Sequence, residues 1–247
     1  MRISPTSKSG SGSYHAFILV ENIQIAEPNL QNRKSTFRIN PAKSYPSMKK
    51  ILFVTDGIFH PPFPGRMALH KTLSQLDGFS FRHVSSLEKL PADLNAFSAL
   101  VLHYHHKTIS DSALKRLDDF VRNGGGILAL HAATASFKQT PAYFKILGGR
   151  FIGHGRVEKF EVSKGRNDIF GGIEGFVVKD ELYIHELEPG IEIHFTARHE
   201  GRDIPVVWTY CHGKGKICYA VPGHMPATMN NPAYRQILRR GLEWVTE

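Results

Sequence analysis

The chain has 247 residues, 41% of them hydrophobic, and a formal net charge of +9, so a sizeable core can form and anionic partners are permitted without one being named. No apolar run approaches the ~20 residues of a membrane-spanning helix, and the scattered Lys and Arg form no basic stripe with interleaved aromatics, so neither a membrane nor a nucleic acid is expected as a partner. Two cysteines, Cys211 and Cys218, cannot build a disulfide framework and fit a reduced, cytoplasmic setting.

Residues 1–47 are rich in Ser, Asn, Gln and Pro and show no sustained period. They are expected to form a disordered or loosely attached tail. The alternative is that translation begins at Met48. The α/β domain is then 48–247. Ile51 to Val54 is a continuous apolar run, as in a strand buried on both faces. Leu69, Leu73 and Leu76 give the following helix one apolar stripe. Phe79 to Val84 and Ala99 to Leu102 are further strands. Ser110 is placed to cap a helix carrying Leu114, Leu117, Phe120 and Val121, with Asn123-Gly124 at its exit. Ile127 to Leu130 is the next strand, and a helix with Tyr143, Phe144 and Leu147 follows.

The second half is richer in strands: Phe160 to Val162, Ile191 to Thr196, Val206 to Tyr210 and Ile217 to Val221. The Gly213-Lys214-Gly215 turn makes the last two a hairpin. Asn231 caps a closing helix, with Pro232 at its first position and Tyr234, Ile237, Leu238 and Trp244 facing inward. Alternation of strand and helix predicts a mostly parallel sheet with helices on both faces and an added β-hairpin.

Ligands of open α/β sheets bind beyond the carboxyl ends of the strands. Several of the 14 histidines fall there. His60 follows the first strand, and His103, His105 and His106 end the third. His131 ends the strand from Ile127, and His224 follows the strand ending at Val221. The plainer reading of any one of them is a hydrogen-bonded or solvated imidazole. His70, His83, His194, His199 and His212 keep that plainer reading. His106 is expected to point away from His105, because successive strand residues face opposite sides.

Gly124 to Ala133 is more specific: a strand runs into a tight turn and a helix, with His131 at the apex. Class I glutamine amidotransferases carry a nucleophilic cysteine at such an elbow. Neither cysteine is near this one, which argues against cysteine-based amide hydrolysis. The glycines precede their strand, so they are no dinucleotide fingerprint and no nucleotide cofactor is expected. Glu181, in Asp180-Glu181-Leu182-Tyr183, is the best carboxylate candidate, a surface turn being its plainer reading. His154 follows a glycine-rich bend. Arg150 either holds an anionic or hydroxyl-rich ligand or caps a helix end.

From about Lys49 to Trp244 the chain resembles the trehalose-utilisation (ThuA-like) family. The residues that carry the resemblance are Gly124 to Ala133; Leu147-Gly148-Gly149-Arg150-Phe151 with Gly153-His154; Asp180 to Tyr183; Pro205-Val206-Val207-Trp208; Gly213 to Ile217; Pro222-Gly223-His224; and Asn231-Pro232 before a helix ending in Trp244. The resemblance implies a three-layer αβα fold, flavodoxin-like and related to class I glutamine amidotransferases. It also implies a role in carbohydrate catabolism, including sugars oxidised to 3-keto forms. His105, His131, Glu181 and His224 match the family's recurring polar positions, and His154 matches less closely. The chain departs from the family at Asn167 to Phe170, where relatives often carry His-Pro, and at Met225, where they often carry an acid.

These residues imply catalysis by His131, Glu181, His224 and His105, with His60, His103, Arg150, His154 and Tyr183 binding substrate. His105, His131 and His224 could hold a divalent metal such as zinc, or the imidazoles could act as acids and bases without one. The substrate would be a small-molecule carbohydrate, a glycoside or a 3-keto sugar, and the enzyme a lyase, isomerase or hydrolase. A non-catalytic sugar-binding or accessory module of the same fold is the alternative. Self-association into a homo-oligomer stays open.

Overall fold

The computed structural model describes residues 48–56, 63–165 and 169–247. The expectations for residues 1–47, for His60 and for Asn167 and Asp168 lie outside the described residues.

Short apolar runs make the centre of the main sheet. They are β1 (Lys49–Thr55), β2 (Phe79–Val84), β3 (Ala99–His103) and β4 (Gly126–Leu130). Helices α1 (Phe63–Leu73) and α2 (Asp111–Arg122) connect them, and α3 (Pro141–Leu147) follows β4. β3 and β4 are buried at every position, as continuous apolar strands covered on both faces must be.

The remaining strands are β5 (Gly149–His154), β6 (Glu158–Lys164), β7 (Phe176–Asp180), β8 (Tyr183–Leu187), β9 (Glu192–His199), β10 (Arg202–His212) and β11 (Gly215–Ala220). A short α4 (Pro226–Met229) and the long α5 (Pro232–Val245) end the chain. The main sheet runs β2-β1-β3-β4-β11-β10-β9-β6-β7. The first five strands are mutually parallel, in the order of a flavodoxin-like sheet. The β10–β11 hairpin stands where the Gly213-Lys214-Gly215 turn predicts it. It continues into an antiparallel extension through β9, β6 and β7, larger than the single hairpin read from the sequence. β5 and β8 form a separate two-stranded antiparallel sheet.

Helices cover both faces of the parallel half. A methyl built on Gly215 of β11 would strike the Val121 carbonyl of α2, whereas Cys218, three residues on, meets Gly241 of α5. Odd-numbered spacing along a strand points to opposite faces, so α2 and α5 lie on opposite sides of the sheet. This is the three-layer α/β arrangement. Among the described residues no helix is long and apolar enough to cross a membrane.

The capping chemistry follows the sequence. The Ser110 hydroxyl accepts from the Ala113 amide at 3.2 Å, and Asn231 Oδ1 accepts from Ala233 and Tyr234 at 3.0 and 3.2 Å. Leu69 and Leu73 are buried on α1, while Leu76 lies just beyond it and is half-buried. Replacing Asn231 with alanine strips two α5 amides of their acceptor. The expected cost is about 1 kcal/mol, read as a lowered denaturant midpoint at unchanged slope.

Candidate functional site

β4 ends at Leu130 and turns at once into a 3-10 helix, His131–Ala135. His131 takes φ +45°, a left-handed conformation that costs a side-chain-bearing residue free energy. Its surroundings hold it there. Its Nδ1 lies 2.9 Å from the Val221 carbonyl, and its own carbonyl accepts from the Tyr219 hydroxyl at 2.8 Å and the Thr134 hydroxyl at 3.2 Å. The ring packs on Tyr183, centroid to centroid 4.1 Å. A carbonyl only accepts, so Nδ1 carries the hydrogen. The other ring nitrogen, Nε2, faces Glu181 Oε2 at 3.4 Å.

Glu181 stands between β7 and β8, where the antiparallel extension meets the two-stranded sheet. The same Oε2 lies 3.4 Å from His224 Nδ1, and Oε1 lies 4.0 Å from His154 Nδ1. His131, Glu181 and His224 each offer a ligand atom, all within 4.8 Å of one another. Burial alone would raise the Glu181 carboxyl. His131 hydrogen bonding and the charges of His224, His131 and His154 outweigh it and pull the group down to about 2. Burial pushes His224 below the ordinary imidazole value, with Glu181 opposing.

The loop that presents His224 is fixed by Asp180, which is fully buried. Its carboxylate accepts from the amides of Glu181, Gly223, His224 and Met225 and from the Thr228 hydroxyl. His103 supports the same loop, with Nε2 3.1 Å from the Gly223 carbonyl. Behind the elbow, the Thr134 hydroxyl contacts both Tyr219 Oη and His185 Nε2 at 2.9 Å. Burial holds that imidazole at about 3, so it is neutral.

The residues singled out from the sequence are thus brought together in part. His131, Glu181 and His224 converge. His154 joins them from the end of β5, its ring stacked on Tyr183 at 5.2 Å. Tyr183 is a buried wall rather than an open contact, with 1% exposure and its hydroxyl pushed up by burial and by Glu181. His103, expected to bind substrate, is buried with its Nε2 at the Gly223 carbonyl. His105 does not join the cluster. It is half-buried beside the Ala135 backbone and Lys138, in a cleft of about 300 Å³ that His106, Lys107 and Phe137 also line. Burial, then Lys138, lowers its imidazole. His105 and His106 share that cleft because β3 ends at His103, so strand alternation no longer separates them. Arg150 is exposed and faces Glu186 at 3.9 Å. Among the residues the sequence reading missed, Asp180 and Gly223 lay inside quoted motifs, whereas Val221 acts only through its carbonyl and leaves no side-chain signal.

Both cysteines are free. Cys218 pairs with Leu128 inside the sheet, and burial pushes its thiol up to about 12. Cys211 is exposed and pairs with Lys216, at the other end of β11 from the elbow.

The family described as trehalose utilisation (ThuA) matches residues 50–245. No curated protein matches the chain in sequence. Among solved structures, a ThuA-like protein of Parabacteroides merdae superposes with a TM-score of 0.71 at 21% identity, over 81% of this chain and 90% of that one. One from Bacteroides uniformis gives 0.68 at 17% identity, over 85% and 95%. A glutamine amidotransferase of Thermotoga maritima shares the fold, with a TM-score of 0.56 at 11% identity over 81% and 99%. With the match spanning nearly all the described residues, the chain belongs to the trehalose-utilisation (ThuA) family, whose role is carbohydrate-related.

Proposed function

We propose that this protein is a divalent-metal-dependent enzyme of carbohydrate catabolism that removes the proton beside the carbonyl of an oxidised (3-keto) sugar. The single observation that carries the reading is the meeting of His131, Glu181 and His224, which each offer a ligand atom within 4.8 Å of the others. Two imidazoles and a carboxylate are a donor set suited to zinc and related ions. Neighbouring ligands on a tetrahedron with bonds of about 2.0–2.1 Å stand roughly 3.3–3.4 Å apart. The two contacts to Glu181 Oε2 are both 3.4 Å. The Val221 carbonyl fixes the His131 ring from behind, as outer partners of metal-binding imidazoles do.

When bound, such an ion would stabilise negative charge on the ketone oxygen, which acidifies the neighbouring C–H. His154, whose Nδ1 stands 4.0 Å from Glu181 Oε1, would take that proton. Its Nδ1 donates to the Gly155 carbonyl at 2.6 Å, which leaves the lone pair of the neutral ring on Nε2. Its side chain is 37% exposed, so an entering sugar can reach it. The C–H electrons then form a C=C bond to the carbonyl carbon while the C=O pair moves onto oxygen. As the C=O re-forms, the substituent on the next ring carbon leaves with its bonding pair and takes the proton from His154. For isomerisation, that proton is instead delivered to the former carbonyl carbon, while the adjacent hydroxyl gives its proton to the former ketone oxygen and becomes the new carbonyl.

The test is a titration of purified protein with zinc or manganese, followed by assay on glucosides and their 3-keto derivatives. One equivalent of metal and turnover of a keto sugar are expected, with both lost in His224→Ala. Turnover that survives chelation would remove the ion from the scheme. Metal and sugar binding without any turnover would make the protein a binding module.

A further inference from the structure

Two members of the cluster depend on a group that touches neither of their ligand atoms. Asp180 Oδ1 accepts from the Glu181 amide at 2.9 Å and from the His224 amide at 3.0 Å. Residues 43 apart in sequence are therefore tied to one oxygen. Oδ2 accepts from the Gly223 and Met225 amides at 3.3 and 3.2 Å and from the Thr228 hydroxyl at 2.6 Å. A buried carboxylate is tolerated only when its charge is met by donors, and here four amides and one hydroxyl meet it. The same contacts fix the start of α4 through Met225 and Thr228, and they seat Gly223 against His131.

We infer that Asp180 is a positioning residue: its buried carboxylate sets the spacing of Glu181 and His224 and thereby the affinity of the site for a metal ion. Backbone amides converging on one carboxylate leave the two segments no freedom to separate without exposing an unpaired charge, which is costly inside a protein. The 3.4 Å contact between Glu181 and His224 is then inherited from the backbone rather than made by the side chains themselves. The part of the inference that concerns metal rests on the proposed function. The part that concerns spacing does not.

Asp180→Asn keeps the shape and removes the charge, and Thr228→Val removes one donor. Each variant is compared with the full-length parent in two ways: zinc affinity by calorimetry, and the ring proton signals of the histidines by NMR. His83 and His212 serve as internal references, because they bond to the Thr55 carbonyl and to Asp118. Asp180→Asn is expected to weaken zinc by about 10–100-fold and to shift the His224 and His131 signals, while those of His83 and His212 stay in place. Thr228→Val is expected to act in the same direction by about threefold, and it decides the matter if Asp180→Asn does not fold. A folded variant with parental zinc affinity and unmoved His224 signals would overturn the inference. If the parent itself takes no zinc, the metal reading fails, and the ring signals alone then decide whether Asp180 positions His224.

Discussion

Truncating His131 to alanine is expected to cut turnover of a keto sugar by about 10²–10⁴-fold, and truncating it to glycine should do the same while giving the more stable protein. Both variants delete the imidazole that faces Glu181 and the bond from Nδ1 to Val221. They differ only in how they bear φ +45°. Elsewhere in a regular element glycine is the less stable choice, by roughly 0.5–1 kcal/mol. At a left-handed position the order reverses, because a Cβ there crowds the backbone. A margin of about 1 kcal/mol in favour of glycine is expected. Denaturant unfolding of the two variants measures it directly, without reference to activity. Alanine more stable than glycine would mean that the elbow stores no strain. Parental turnover in either variant would remove His131 from the chemistry.

The second large effect is expected at Gly223. A methyl built there would lie 2.6 Å from His131 Cβ and 3.6 Å from His103 Nε2. Real carbon contacts do not come so close, so one side must move. Neither side moves easily. The Gly223 amide donates to Asp180 and its carbonyl accepts from His103, while His131 is held by Val221, Tyr219 and Tyr183. Gly223→Ala should therefore cost about 1–3 kcal/mol of stability, as overpacking of a filled interior does. It should also disturb His131 and His224 together, since Gly223 packs on one and precedes the other. Loss of zinc affinity on the order of tenfold or more is expected, read by calorimetry beside a thermal melt. A variant with parental stability and affinity would show that the turn adapts.

Much of this was legible in the sequence. The elbow was, because a glycine-rich entry and a fully apolar strand point to one apex residue. The caps at Ser110 and Asn231 were, because their amide partners lie two or three residues away. Glu181 and His224 were named, but not the way they meet. That meeting depends on β7 and β8, whose alternation is short and broken by charge, and on β5, which contains two glycines. Histidines at strand ends were the weaker guide. Such a position says where a side chain starts, not where it points. His103 turns to a backbone carbonyl, and His105 follows a strand that has already ended. Asp180 and Glu181 are adjacent acids with opposite duties. Only the tertiary fold decides which one turns inward to the amides of a distant loop.

The position of β11 has a consequence for how the chain is made. It is the last strand in sequence, yet it lies between β4 and β10 in the sheet. While the chain emerges from the ribosome, β4 can pair with β3 but its other edge stays open until Gly215–Ala220 arrives. That edge is Gly-Ile-Leu-Ala-Leu, wholly apolar and a template for wrong pairing. The nascent protein therefore carries an open apolar edge from the completion of β4 at Leu130 until β11 is made at Ala220, and β11 both closes the sheet and ends that exposure.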